Sequence, residues 1–315
     1  MKKSRLIKCI SVIFLVLFIF LPLLKAKNRL KVVAGIFPFQ EFAREVGGNR
    51  IDADILLPPG VEAHSWEPTL SDIMKIQKAD VFIYVGAVMA PHVHDILKGI
   101  DSKGLVVLDA SKEVTLIKPD HEHGEAGETV RMDHHSHGLF DPHFWLDFEN
   151  DIKIVNRIAL VLSERDPAGE AYYAQNASAY NRKLKSIDAR YQTELKDCRT
   201  RTFVFGGHAA FGYLAKRYGL SQIPLYGINP DSEPTPRRLA ELVKSARKHG
   251  VRYIYFEELV SDKLARVMAK EVGAQTMVLN PCVNLTADQL RRKITFLDVM
   301  EQNLENLKKG LECGN

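Results

Sequence analysis

Residues Thr202–Tyr218 read TFVFGGHAAFGYLAKRY. Thr202–Phe205 is a short run of β-branched and aromatic residues, the composition of a buried strand. Gly206-Gly207 lets the chain turn, His208 follows, and Ala209–Tyr218 carries apolar residues at helical spacing. A strand that enters a helix through a glycine turn is the unit of a parallel α/β sheet. The unit recurs downstream. Ile223–Tyr226, Tyr253–Phe256 and Thr276–Leu279 read as strands, and Pro236–His249, Asp262–Val272 and Ala287–Lys309 as helices. It recurs upstream as well. Leu30–Ile36, Asp54–Leu57, Val81–Val85 and Leu105–Leu108 read as four strands, with Phe39–Val46 and Leu70–Gln77 among the helices between them.

Between the two halves, residues 150–196 are helical in pattern. Asp166-Pro167 divides them, because Asp as an N-cap followed by Pro at the first helical position is a start signal. One helix is expected to end near Glu164. A second, from Pro167 to Lys196, would span roughly 45 Å and run along both halves. The expected fold is α/β: two doubly wound lobes with parallel four-stranded sheets, joined by a long rigid helix that permits small lobe motions. The expected divisions are 1–26, 27–149, 150–196 and 197–315.

Composition agrees with two sizeable cores. The 315 residues are 46% hydrophobic and 26% charged, which excludes a disordered chain, a collagen-like chain and a small disulfide scaffold. One apolar run is long. Lys2, Lys3, Arg5 and Lys8 precede the stretch Cys9–Leu24, and Lys25-Ala26-Lys27 follows it. This is the pattern of a secretory signal peptide cut near Ala26, with an uncleaved membrane anchor as the alternative. No Cys closely follows the run, so a lipid anchor is not expected. The net charge is +4, and residues 1–26 hold five basic and no acidic residues. Removing them leaves the remainder one charge below neutral. No basic patch with interleaved aromatics is present, so nucleic acid is not an expected partner. Export makes disulfides available, and Cys198, Cys282 and Cys313 follow the leader.

Histidine is the informative residue. Asp120–Gly138 reads DHEHGEAGETVRMDHHSHG, with His121, His123, His134, His135 and His137 and no apolar period. Such a tract cannot pack a core and is expected to be a mobile loop. Three further His stand in PPGVEAHSWEPT (His64), DPHFWLD (His143) and FVFGGHAAFGYL (His208). His64 and His208 follow strands, where ligands bind a doubly wound sheet, and His143 immediately precedes the linker helices. Three neutral imidazoles converging in a cleft suit a first-row divalent metal. Each alone also reads as a capping or core residue.

These stretches give the chain a specific resemblance. With ADVFIYVG, EPTPRRLAELV, IYFEELVSDKLARVMAKEVGA and VLNP, they resemble the zinc- and manganese-binding family of extracytoplasmic substrate-binding proteins of metal ABC transporters. DPHFWLD and GHAAFGYLA are the most diagnostic pieces. The resemblance implies two α/β lobes with metal between them, His64, His143 and His208 as ligands, and delivery to an ABC-transporter membrane permease by a monomer. It implies Zn2+ rather than Mn2+, because a third His replaces a carboxylate of the manganese members. The chain departs from the family at the fourth ligand. Val283 stands where zinc members often carry Glu. A water, Asn280 or Glu62 could fill the position, and Cys282 also reads as a buried small residue. Glu257 and Glu258 read as supports for a ligand imidazole, or as salt-bridge or capping groups; Asp141 and Asp147 carry the same two readings. Trp66 and Trp145 are expected to wall the cleft. His92 and His94 are rim ligands or a surface pair. The His tract would offer accessory metal sites. Cys198 lies just before the second lobe's first strand and Cys313 just after the last helix, so both are expected at the sheet end remote from metal, joined by a disulfide. The competing functions are a Mn(II) or Fe(II) binder of the same family, a three-His zinc hydrolase, and an adhesin or surface-exposed member of the same family. HExxH and a general-base constellation are absent, so no catalytic residue is assigned.

Overall fold

The computed structural model describes residues 29–100, 104–119, 140–228 and 234–314. The expected signal peptide and the His tract with its five imidazoles lie outside the described residues.

Two parallel four-stranded sheets form. In the first, β1 (Leu30–Ala34), β2 (Ile51–Ile55), β3 (Val81–Tyr84) and β4 (Val106–Asp109) lie in the order β2-β1-β3-β4. In the second, β5 (Thr202–Phe205), β6 (Ser221–Pro224), β7 (Tyr253–Phe256) and β8 (Gln275–Val278) lie in the order β6-β5-β7-β8. The central strands are mostly apolar, as helices on both faces require; β3 is buried at every position, and β1 and β5 over their last three residues. Helices α1 (Phe37–Gly47), α2 (Leu70–Gln77) and α3 (Pro91–Gly99) serve the first sheet. Helices α6 (Gly212–Tyr218), α7 (Pro236–Lys248) and α8 (Lys263–Val272) serve the second. In each sheet the winding reverses between the two central strands, β1 and β3 or β5 and β7. The loops leaving their carboxyl ends diverge there and open a crevice.

Helices α4 (Phe148–Arg165) and α5 (Glu170–Glu194) join the lobes. Along α5, Tyr173, Ala177, Tyr180, Leu184, Ile187 and Tyr191 recur every three or four residues and are all buried. That stripe packs on α4, on α1 of the first lobe and on α10 (Phe296–Leu311) of the second. At roughly 1.5–3 kcal/mol for each large side chain removed from water, this seam holds the lobes on one scaffold. Cys198 and Cys313, 115 residues apart, are joined by a disulfide that ties the entry to β5 to the end of α10. On chain-entropy grounds a loop of that length is worth about 5 kcal/mol.

Several expectations differ in detail: the strand expected at Asp54–Leu57 is β2 at Ile51–Ile55, and the one expected at Ile223–Tyr226 is β6 at Ser221–Pro224. The linker helix expected from Pro167 to Lys196 begins as a 3-10 turn, Pro167–Gly169, and α5 proper is shorter. The single helix expected from Ala287 to Lys309 is two, α9 (Ala287–Arg291) and α10. Lys293 takes a left-handed φ of 56° between them, and Thr295 with Asp298 forms a capping box that starts a new helix.

Candidate metal centre

His208 leaves β5 through Gly206-Gly207, at the reversal point of the second sheet. A side chain at Gly207 would collide with the Glu257 carboxylate, and one at Gly206 with Ala265. These glycines therefore let the β5 turn approach the end of β7, from which Glu257 projects. Glu257 is buried, and its Oε1 accepts hydrogen bonds from the His208 backbone N–H (3.1 Å) and ring Nδ1 (2.8 Å). The first lobe repeats the device. Asp141 Oδ1 accepts from the His143 backbone N–H (2.9 Å) and bonds its ring Nδ1 at 2.8 Å.

A carboxylate on Nδ1 fixes the tautomer and turns the other nitrogen's lone pair outward. The two outward nitrogens, Nε2 of His143 and Nε2 of His208, lie 3.1 Å apart. Two lone pairs at that distance repel unless a proton or a metal cation lies between them. The third imidazole closes the group. His64 ring centroids stand 5.5 Å from His143 and 5.0 Å from His208, and its Nε2 is buried with no hydrogen-bond partner. One ligand nitrogen from each of the three lies within 4.8 Å of the others. Tetrahedral zinc with bonds of roughly 2.0–2.1 Å would hold its nitrogens about 3.3 Å apart. Drawing the group inward by at most about 1.5 Å would suffice.

The electrostatics favour neutral ligands at two positions. Burial, and then the charges His143 and His208 can carry, push His64 down to about 2. Burial holds His143 well below the ordinary imidazole value and raises Asp141 to about 7. For His208, burial pulls down, but the charge and hydrogen bond of Glu257, with Glu62 and Asp141, leave it raised. In metal-free protein one proton on His208 can thus bridge to His143, and a metal would displace it.

The other candidates fall around this core. Glu62 spends both carboxylate oxygens on the backbone N–H groups of His64 and Ser65, each at 3.0 Å. Asn280 accepts from Cys282 N at 2.8 Å through Oδ1 and donates through Nδ2 to Glu258 at 2.7 Å. Both line a cavity of about 20 Å3 beside His208, with Glu257, Glu258 and Val283. That is room for one water. Cys282 is fully buried, with its thiol against Met300 Sδ at 3.6 Å, and burial raises its pKa well above the usual thiol value. Asp147 caps α4 and pairs with Arg217, away from the three rings. Trp145 packs edge-on to His143 and donates through Nε1 to Pro281 O across the lobes at 2.8 Å. Trp66 is partly buried against the first lobe's core. His92 and His94 stand in the first turn of α3, where His94 Nδ1 bonds Tyr84 at 3.2 Å. Neither belongs to the three-His group. Asn284 and Asn303, which bind the neighbouring backbone, carried no signal in the sequence, because an asparagine in a loop is usually only a turn former and one in a helix usually faces solvent.

A family model described as the periplasmic component A of the zinc-uptake complex matches residues 32–310. The high-affinity zinc uptake system protein ZnuA of Bacillus subtilis is 38% identical over 284 residues, covering 90% of this chain and 88% of that protein. The zinc-binding protein AdcA of Streptococcus pyogenes is 38% identical over 290 residues, covering 90% of this chain and 56% of that protein. The chain thus spans about half the length of the AdcA relatives it matches. The Zn(II)-bound ZnuA-like domain of Streptococcus pneumoniae AdcA superposes with a TM-score of 0.76 at 36% identity, over 90% of this chain and all of that domain.

Proposed function

The chain belongs to the family of periplasmic zinc-uptake component A proteins, and on that premise we propose that it captures Zn(II) between its lobes and delivers it to an ABC permease for import. The proposed ligands are His64, His143 and His208. Asp141 and Glu257 orient the two buried rings, and a water in the small cavity beside His208 completes the shell. The observation that carries this reading is the set of three converging imidazole nitrogens, two facing each other at 3.1 Å and the third buried without a partner. Nearby carboxylates stand behind the rings or on backbone N–H groups, and an all-imidazole set favours zinc over manganese or iron. The chain acts without catalysis, as an extracytoplasmic monomer that binds no nucleic acid. Residues 1–26 are its export signal, 27–149 and 197–315 its lobes, and 150–196 the connection. The imidazoles of 120–138 serve as accessory sites that raise the local metal concentration.

Competition between zinc and manganese, with metal counted per chain, tests this reading. One tight zinc per chain is expected, surviving deletion of 120–138 and disappearing in His208→Ala. Tighter manganese binding, or loss of the tight site with the loop alone, would refute it. Chelator-sensitive hydrolysis of ester or peptide substrates would revive the hydrolase alternative.

A further inference from the structure

His64 differs from the other two imidazoles. His143 and His208 are nearly fully buried, and each has a carboxylate on Nδ1. His64 is partly exposed, and among the described residues no carboxylate bonds its ring. Its position depends on backbone held from elsewhere.

That hold comes from the opposite lobe. Asn303 on α10 clamps the loop after β8, donating to Asn280 O at 2.7 Å and accepting from Asn280 N at 2.9 Å. The loop then crosses to the first lobe. Val283 O accepts from Phe37 N at 3.0 Å, and Leu285 O accepts from Gly60 N at 2.8 Å. Between these two, Asn284 is 4% exposed, and its Nδ2 donates to Pro58 O at 2.7 Å and Val61 O at 3.0 Å. Its Oδ1 accepts from Leu285 N at 2.9 Å, which fixes the orientation of the amide. Pro58–Val61 is the turn that leads into His64, and Glu62 then holds the His64 and Ser65 N–H groups. Hydrogen bonds joined by short stretches of chain therefore connect α10 through Asn284 to the backbone of the third imidazole.

We propose that Asn284 is a positioning residue for metal capture: it ties the His64 loop to the second lobe, so that the third ligand closes only when the lobes are docked. The proposal rests on the three-His reading. Removing the amide takes one donor from Pro58 O, which keeps Val61 N at 3.2 Å, and the Asn284 donor from Val61 O, and the loop can relax outward with His64. Lobe separation must break the same bonds, so leaving of the metal and release of the loop are one event.

The test uses zinc ion and the full chain, with affinity from chelator competition and dissociation followed by rapid mixing with excess chelator. Asn284→Ala is expected to weaken zinc about tenfold, as changes behind a ligand typically do, mainly through faster dissociation. A purely structural role would weaken binding equally in any background, so the decisive comparison is with His64→Ala. Once His64 is gone, Asn284→Ala should cost nothing further. Cobalt(II) absorption in Asn284→Ala should move toward the spectrum of His64→Ala. Asn284→Ser, which keeps one short donor, provides a folded variant if the metal-free Ala form does not melt cooperatively, and its loss should be smaller and equally dependent on His64. Wild-type affinity and dissociation in the folded variants, or the same fold-loss with and without His64, overturns the proposal. Tight zinc retained by His143→Ala and His208→Ala would instead overturn the three-His reading on which it rests.

Discussion

Replacing Glu257 by Gln tests how the second lobe prepares His208 for the proposed ligand role. The side chain is buried, and one oxygen accepts both the ring and the backbone N–H of His208. Glutamine offers an oxygen of the same reach, so both bonds can persist and no cavity opens. What is lost is one negative charge behind the imidazole. Changes to such partners typically weaken metal binding by about 10–100-fold, or roughly 1.4–2.7 kcal/mol. The same charge opposes metal in another way, because it raises the pKa of His208 in the metal-free protein against the lowering effect of burial. A raised imidazole pKa is stabilising below the unfolded value of about 6.5 and loses that contribution as pH rises through the folded value. Protons therefore compete with zinc more in the parent than in Glu257→Gln. The affinity loss should be full at pH 8 and shrink toward pH 6. Chelator competition across that range, with melting of metal-free protein as a folding control, measures it. A loss below threefold at pH 8, or one that grows toward acid, would refute this account of Glu257.

Zinc at a thousandfold over Kd should stabilise the chain by about 4 kcal/mol and raise Tm by roughly 6–7 °C, reversed by chelator; an unmoved Tm would count against binding to the folded state. His143→Ala should abolish the tight site, whereas His92→Ala should change zinc affinity less than threefold in the same competition assay. Glu41 on α1 is raised from 4.5 to about 7, first by burial and then by Glu45, with Asp298 of α10 adding and Arg44 and Lys183 opposing. Its native form holds the proton longer than the unfolded chain does, so stability should fall by about 3 kcal/mol as pH rises from 4.5 through 7. Urea unfolding of metal-free Glu41→Gln should lack that component of the pH slope.

The elements were legible where pattern and local chemistry agree. Thr202–Phe205 and Tyr253–Phe256 have the expected bounds, because buried parallel strands are short apolar runs with sharp ends. Errors lie where local signals compete. The apolar spacing of Ala287–Lys309 continues through the break, and the Thr295–Asp298 capping box within it is only four residues long. At the site, histidine is uncommon enough for three strand-end or linker-end positions to stand out. Their supports did not stand out equally. Asp141 and Glu257 each had a bland reading until the ring nitrogens were placed against them, and Asn284 had no signal at all.

The sequence by itself determined two parallel sheets, the helical connection between them and the three imidazoles, since alternation, caps and residue type act over a few neighbouring positions. Only the tertiary structure decided which nitrogen of His143 and His208 faces the centre, that these two nitrogens lie 3.1 Å apart, and that Asn284 of one lobe holds the turn leading to His64 of the other. Those facts depend on partners such as His143 with His208 and Pro58 with Asn284, 65 and 226 residues apart in the chain. No local propensity reports such pairs. They follow from the packing of both lobes on α5, which brings the ends of two separate sheets to one point.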